Sequence, residues 1–417
     1  MKACRKYADI SFQEEVLHPL SRQMPQLPVA QGLASRTLQL LRADLYICDV
    51  ADHDEGPLTQ HLRWWVRVLS AGELPGKTNH LLALLRQSTT SLVIVVAVIV
   101  QMIYDASVTG SMFGLRIALA LYTTLVVIVI FKFRRRGIKA CLSQLVQLSA
   151  TLDTHAQAKT KTHMAATARR CAKLVRFYEA YAWLTEVTVF VALIVHWQDS
   201  AAAGLELLIG THHQVATTIL LWASLALRLY SGVSAVLADY TSVVLILVIY
   251  LSMANMYEAI GEALQTRPCN TLLAHQQSVL TQASLNMEAS VADLLSQVLI
   301  VSVVVPLLST VEVVLNGLEA DMFAVGMAPL VLFVFVPFCL VGDAMTYARL
   351  RFADRAGAGP WLEETVQIRK MRLGMVQLSQ GHGGDLRGWG IGHLDRKACG
   401  SALKSWFQFL QVLMNLQ

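Results

Sequence analysis

The run HHQVATTILLWASLALRLYSGVSAVLADYTSVVLILVIYLSMA, residues 212–254, decides the architecture. It is nearly unbroken apolar sequence, interrupted in its middle by Arg228, Gly232 and Asp239. A helix crosses the hydrocarbon core with about 20 apolar residues. The run therefore holds either two crossings or one helix with an extension beyond the bilayer. The choice fixes the orientation of everything that follows. Lys and Arg concentrate in cytosolic loops. With one crossing, the basic segments 132–176 and 347–387 share the cytosolic side, and the loops near 105–113, 198–211 and 317–321 hold no Lys or Arg. With two crossings, Arg349, Arg351, Arg355, Arg369, Lys370 and Arg372 would lie outside. The charge pattern predicts one crossing.

The whole composition agrees with a membrane class. Of 417 residues, 55% are hydrophobic and 15% charged, with mean hydropathy +0.49. Soluble domains carry about 25% charged residues. A net charge of +5 says little beside the placement of the basic residues. The first 55 residues mix charges with short apolar runs and show no signal-peptide core. The seven cysteines have no metal or redox spacing, and none falls in an outer loop, so no disulfide framework is expected.

Outward from residues 212–254, the other crossings follow. Ser91–Tyr104, extended back through Leu81–Leu85, is the first, and a short loop with Asp105 and Gly110 follows it. Leu115–Phe133 is the second, ending on Lys132 and Arg134–Arg136, and Tyr178–Trp197 is the third. Leu294–Asn316 with Pro306 is the fifth, and Met322–Ala344 with Pro329 and Pro337 the sixth. The polar stretches 134–177 and 255–293 keep helical periodicity and read as cytosolic continuations of the crossings. Trp361–Leu378 reads as an amphipathic cytosolic helix, and Gly381–Gly390 as a flexible turn. His61–Leu69, with Trp64, Trp65, Arg63 and Arg67, suits either a membrane interface or an ordinary packed helix.

The expected fold is all-α: seven transmembrane helices, a cytosolic N-terminus and an extracellular C-terminus. Residues 1–80 form a cytosolic N-terminal segment, and 81–346 hold helices one to six with their long loops. Residues 347–390 hold a cytosolic anchor helix and turn, and 391–417 the seventh helix.

On that last helix Lys397, Ser401, Lys404, Gln408, Gln411 and Asn415 recur in steps of three and four, so they share one stripe. Such a stripe lines a water path in a bundle, or faces solvent on a surface helix. Charged groups inside crossings are costly and tend to face protein or water. Glu186, Asp239, Glu312 and Asp343 are therefore candidate functional groups, with Asp343 alternatively paired to a cytosolic Arg such as Arg349.

An inverted seven-span chain with long helical cytosolic loops resembles the insect chemoreceptor superfamily, nearest to the gustatory receptors and next to the olfactory ones. The last span of that family carries Thr-Tyr, five hydrophobic residues and Gln-Phe, after an upstream Leu-Asp segment. Here Leu394-Asp395 supplies the upstream segment. Gln408 stands in place of Thr, Phe409 of Tyr, Asn415 of Gln and Leu416 of Phe. Leu145–Asp153 and Leu273–Leu280 are weaker matches.

The resemblance implies a chemosensory, taste-type receptor of the plasma membrane that is itself a ligand-gated, non-selective cation channel. It would assemble as a homotetramer, or a heterotetramer with related subunits. Gln408, Gln411, Val412 and Asn415 would line the pore, with amide dipoles facing permeant cations and Val412 or Leu413 at a hydrophobic constriction. Lys397 and Lys404 fit a cation path poorly. A small tastant or odorant would bind among the outer halves of helices two to six, near Trp183, Glu186, Thr188, His196, Trp197, Trp222, Glu312 and Asn316. The plainer reading of these eight is buried polar groups satisfied by neighbouring helices, with Trp197 an interface anchor.

The expected partners are the small molecule, cations and the bilayer, with no nucleic acid, cofactor or metal. No nucleophile elbow, metal constellation or phosphate loop stands in a usable context, so no catalytic residue is expected. The rival readings are a seven-span receptor signalling through a cytosolic partner, a channel subunit without a ligand of its own, and a small-solute transporter.

Overall fold

The computed structural model describes residues 55–70, 89–109, 112–155, 158–209, 214–317, 320–381, 384–388 and 392–415. The described chain is almost wholly helical: α1 (Pro57–Ser70), α2 (Thr89–Thr109), α3 (Met112–His155), α4 (Ala158–Ile209), α5 (Gln214–Thr266), α6 (Thr271–Asn316), α7 (Met322–Met327), α8 (Leu330–Gly357), α9 (Val366–Gln380) and α10 (Arg396–Asn415). A short antiparallel hairpin of β1 (Arg387–Gly388) and β2 (Gly392–His393) precedes α10. Among the described residues, five helical stretches, within α3, α4, α5, α6 and α7–α8, are long and apolar enough to cross a membrane, and Leu92–Val108 of α2 is a shorter apolar helix. The chain is built as a multi-pass membrane protein.

The run 212–254 belongs to one helix. From Gln214 to Thr266, α5 continues without a break for 53 residues. Its middle explains the unbroken apolar sequence. Val243, Val244, Leu245, Ile246, Leu247, Val248, Ile249 and Tyr250 are all buried, so no face is left for solvent or lipid. α5 is the central post, packed by α4, α8, α3, α6 and α2. The outer helices show the opposite pattern. On α4, Trp183, Val187, Phe190 and Ile194 form an exposed apolar stripe, while Thr185, Val189, Ala192 and Leu193 turn inward.

Far along the bundle from the α4–α5 connection, the helix ends are tied by charge. Glu258 and Glu262 of α5 meet His163 and Lys159 of α4 on one side, and Arg351 and Arg355 of α8 on the other. Arg372 of α9 is fully buried against Glu364. Its guanidinium also donates to the carbonyls of Leu264 at 2.8 Å and Ala356 at 3.0 Å. The Glu364 carboxylate also accepts from the Cys269 amide, 2.6 Å away. One ion pair thus joins α5, α8, α9 and the start of α6.

Several expectations change. Asp105 is not in a loop; it lies within α2, buried against Arg228 of α5. Residues 198–209 are not a loop either, because α4 runs on to Ile209. The helix expected from Trp361 starts at Val366, where Thr365 caps it by accepting from the Ile368 amide; Trp361–Glu363 is a separate 3₁₀ turn. Pro329 divides the sixth crossing into α7 and α8, while Pro306 and Pro337 stay inside their helices.

Of the stretch read as a flexible turn, Gly381, Gly384 and Asp385 are held in place. Arg349 donates to Asp385 at 2.5 Å, and Glu288 accepts from the Gly384 amide at 2.6 Å. Gly384 adopts φ 75°, a conformation that suits glycine. Asp343 pairs with Arg396 at 2.8 Å rather than with Arg349. The last helix begins at Arg396 instead of Ile391, with Asp395 accepting from the Ala398 amide. α1 packs Leu58, Leu62, Trp65, Val66 and Leu69 into the core, leaving Trp64 more exposed. The expected N-terminal segment up to residue 54, Leu81–Leu85 and Leu416 lie outside the described residues.

Candidate functional site

A cavity sits in the apolar bundle among α2, α3, α4, α5, α6, α7 and α8. Most of its wall is aliphatic, from Leu121, Val189, Ala235, Val301, Val305 and their neighbours. The centre of a water-sized sphere can occupy about 70 Å³ of it. That is room for roughly five waters, or a small organic molecule.

Six polar side chains reach the wall: Thr124, Thr185, Arg228, Asp239, Tyr240 and Ser302. Thr124 bonds to the Ala120 carbonyl at 2.9 Å, and Ser302 to the Leu299 carbonyl at 3.0 Å, so both are satisfied by their own helices. The Thr185 and Tyr240 hydroxyls bond to each other at 3.1 Å. Arg228 is ion-paired with Asp105. Asp239 differs: its Oδ1 is buried without a hydrogen-bond partner, and none of the described residues forms an ion pair with it. Behind Tyr240 stands an aromatic cluster. Tyr181 lies 5.4 Å from Tyr240 and 4.5 Å from Phe333, centroid to centroid.

The cavity lies among helices that carry the eight residues expected at a ligand site, but other positions line it. Trp183 and Trp222 are 57% and 60% exposed on the outward faces of α4 and α5. Glu186 is half-buried, with Oε1 lacking a hydrogen-bond partner. Thr188 donates to the Thr185 carbonyl and sits against Gly326. Glu312 takes Arg116 at 3.3 Å and accepts from the exposed Asn316. His196 and Trp197 lie in α4, and their side chains are outside the described set. What the sequence reading missed is the lining face of α4, Thr185, Val189 and Leu193, one helical stripe at spacing four. Val189 and Leu193 are as apolar as the exposed stripe of Trp183, Val187, Phe190 and Ile194, so composition did not mark this face.

The expected pore residues are placed together. Gln408, Gln411, Val412 and Asn415 are all exposed on α10, as are Lys397, Ser401 and Lys404. Phe409 is half-buried, Leu394 is buried against α8, and Asp395 is the helix cap. α10 packs chiefly on α8 and α6, and Phe407, Val412 and Met414 stay 58–64% exposed beside the polar stripe.

The acid Glu364, in the node below the bundle, also titrates unusually. Burial alone would push its carboxyl up, but the Arg372 hydrogen bonds, the Cys269 amide and the nearby guanidinium charges outweigh it and hold it below the usual value. The Cys269 thiol beside it is pushed up to about 11 by burial.

No protein-family model matches the sequence, and no curated protein matches it. Solved structures do. The chain is similar to the insect olfactory receptor OR5 from Machilis hrabei, with TM-score 0.65 and 11% identity over 86% of this chain and 100% of that one. The same receptor solved in complex with eugenol matches at TM-score 0.53, with the same identity and coverage. At this identity the likeness concerns the fold. The described helices are arranged in the fold of an insect olfactory receptor.

Proposed function

We propose that this chain is a chemosensory receptor and itself a ligand-gated, non-selective cation channel of the plasma membrane. A small tastant or odorant occupies the cavity, and α10 borders the conduction path at the axis of a homotetramer, or of a heterotetramer with related subunits. The observation that carries the reading is the cavity itself: an apolar space with a few polar groups, set among seven helices. Its setting supports it, because a solved protein of this fold was captured with the small aromatic eugenol. The exposed mixture of amides and apolar side chains on α10 fits a surface shared with other copies and with water. A ligand that binds better when α10 is displaced shifts the channel toward the open arrangement. The seven-span topology, with the C-terminus outside, belongs to the same reading.

Whole-cell recording of the expressed chain against sugars, bitter compounds and volatiles tests it. A ligand-evoked cation current is expected, and Ala235→Phe, which fills the cavity, should abolish it while surface expression is kept. Gln411→Leu and Asn415→Leu should change conductance or selectivity without moving the ligand's half-maximal concentration. A current indifferent to Ala235→Phe would remove the cavity from the mechanism. A C-terminal tag reachable only in permeabilised cells would remove α10 from the pore.

A further inference from the structure

The cavity has one polar group left over, and that group is an acid. Of its six polar lining residues, Thr124 and Ser302 bond to their own helices, Thr185 and Tyr240 to each other, and Arg228 to Asp105. Asp239 remains without a hydrogen-bond or ion-pair partner among the described residues. Arg228 cannot serve it. The two side chains lie on the same face of α5, three turns and about 16 Å apart, and the Arg228 charge is already met by Asp105 from α2. The wall therefore holds a balanced ion pair at one level and a bare carboxyl at another. A carboxylate withdrawn from water without a counter-charge is costly, and the cost is offset when a cation arrives. The adjacent Tyr240 ring also lines the cavity, and a protonated nitrogen is attracted to the face of such a ring.

We propose that the cavity takes a small organic amine, with its protonated nitrogen on the Asp239 carboxylate beside Tyr240 and its apolar body along the aliphatic wall. This rests on the reading of the cavity as the ligand site. It sets the chain's ligand class apart from neutral odorants. The competing occupant is a neutral molecule whose oxygen accepts a hydrogen bond from a protonated Asp239.

The test uses the full chain, purified in lipid nanodiscs, and two probes matched in shape: phenethylamine and phenethyl alcohol. Binding is read by calorimetry or ligand-induced thermal shift, in the wild type and in Asp239→Asn, Asp239→Glu and Ala235→Phe. The wild type should prefer the amine by about tenfold or more, as expected for a partly desolvated charge pair. Asp239→Asn should erase that preference while alcohol affinity stays within about threefold, and Asp239→Glu should keep it. The amine-to-alcohol ratio is read within each folded variant, so a modest change in stability does not mask it. An alcohol that binds as well as the amine, or an amine affinity unmoved by Asp239→Asn, overturns the amine assignment. In that case, loss of both probes in Ala235→Phe leaves the cavity standing as a ligand site. If neither probe binds the wild type, or both bind Ala235→Phe as well as the wild type, the assignment is overturned. Retention in Ala235→Phe counts against the cavity as well.

Discussion

Arg372 and Asp239 are both ionisable side chains inside the bundle, one fully buried and the other half-buried with its Oδ1 out of water, and their surroundings differ. The Arg372 guanidinium is fully buried, yet it meets Glu364 and the carbonyls of Leu264 and Ala356. Asp239 sits in a cavity wall with no partner among the described residues. The first arrangement welds four helices into a single arrangement at one end of the bundle. The second leaves a polar demand unmet where a small molecule has room to answer it. One buried ionisable group thus fixes the frame, while the other lines the cavity with its Oδ1 unbonded among the described residues.

The comparison breaks most visibly at Arg372. Arg372→Met leaves Glu364 buried and unpaired, and should lower unfolding stability by about 3–5 kcal/mol. Denaturation of the purified chain measures it, and Arg372→Met with Glu364→Leu should recover most of the loss. The same pair gives a pH dependence of known sign. Glu364 has a folded pKa below its unfolded value. Its contribution is therefore present above the ordinary carboxylate range and is lost as pH falls through the lowered folded value. Acid unfolding should be less steep in Glu364→Gln, which removes that titration.

A smaller effect is expected at Gly342, where α8 lets the chain leading into α10 pass closely. A Cβ there would overlap the Leu394 carbonyl oxygen and lie 3.2 Å from its carbon. Gly342→Ala should cost about 1–3 kcal/mol through overpacking, and should also disturb the placement of α10. Thr365→Ala removes the α9 cap and should cost about 1 kcal/mol; a loss no larger than scatter would mean another group satisfies the Ile368 amide. The smallest effect belongs to Asp239. Without ligand, Asp239→Asn should change stability by no more than about 0.5 kcal/mol, or raise it, because no existing bond is broken. A loss like that of Arg372→Met would show that Asp239 holds the frame and would end the contrast.

The sequence by itself determined the membrane class, the helical content and the place of five long apolar helices, because hydrocarbon demands such helices whatever their neighbours. It also determined the polar stripe of α10, since helical spacing alone puts those residues on one face. Side-chain partners were beyond its reach. Asp105 and Arg228 stand 123 positions apart, and nothing local joins them. Gly381, Gly384 and Asp385 are held by Arg349 and Glu288, on two other helices. Which face of each helix turns inward was likewise left to packing. In lipid the outer surface is as apolar as the core, so Trp183 outside and Val189 at the cavity read alike in sequence. Only the tertiary structure, by surrounding the middle of α5 and leaving a gap beside Asp239, separated the residues on the outer surface from those that line the cavity.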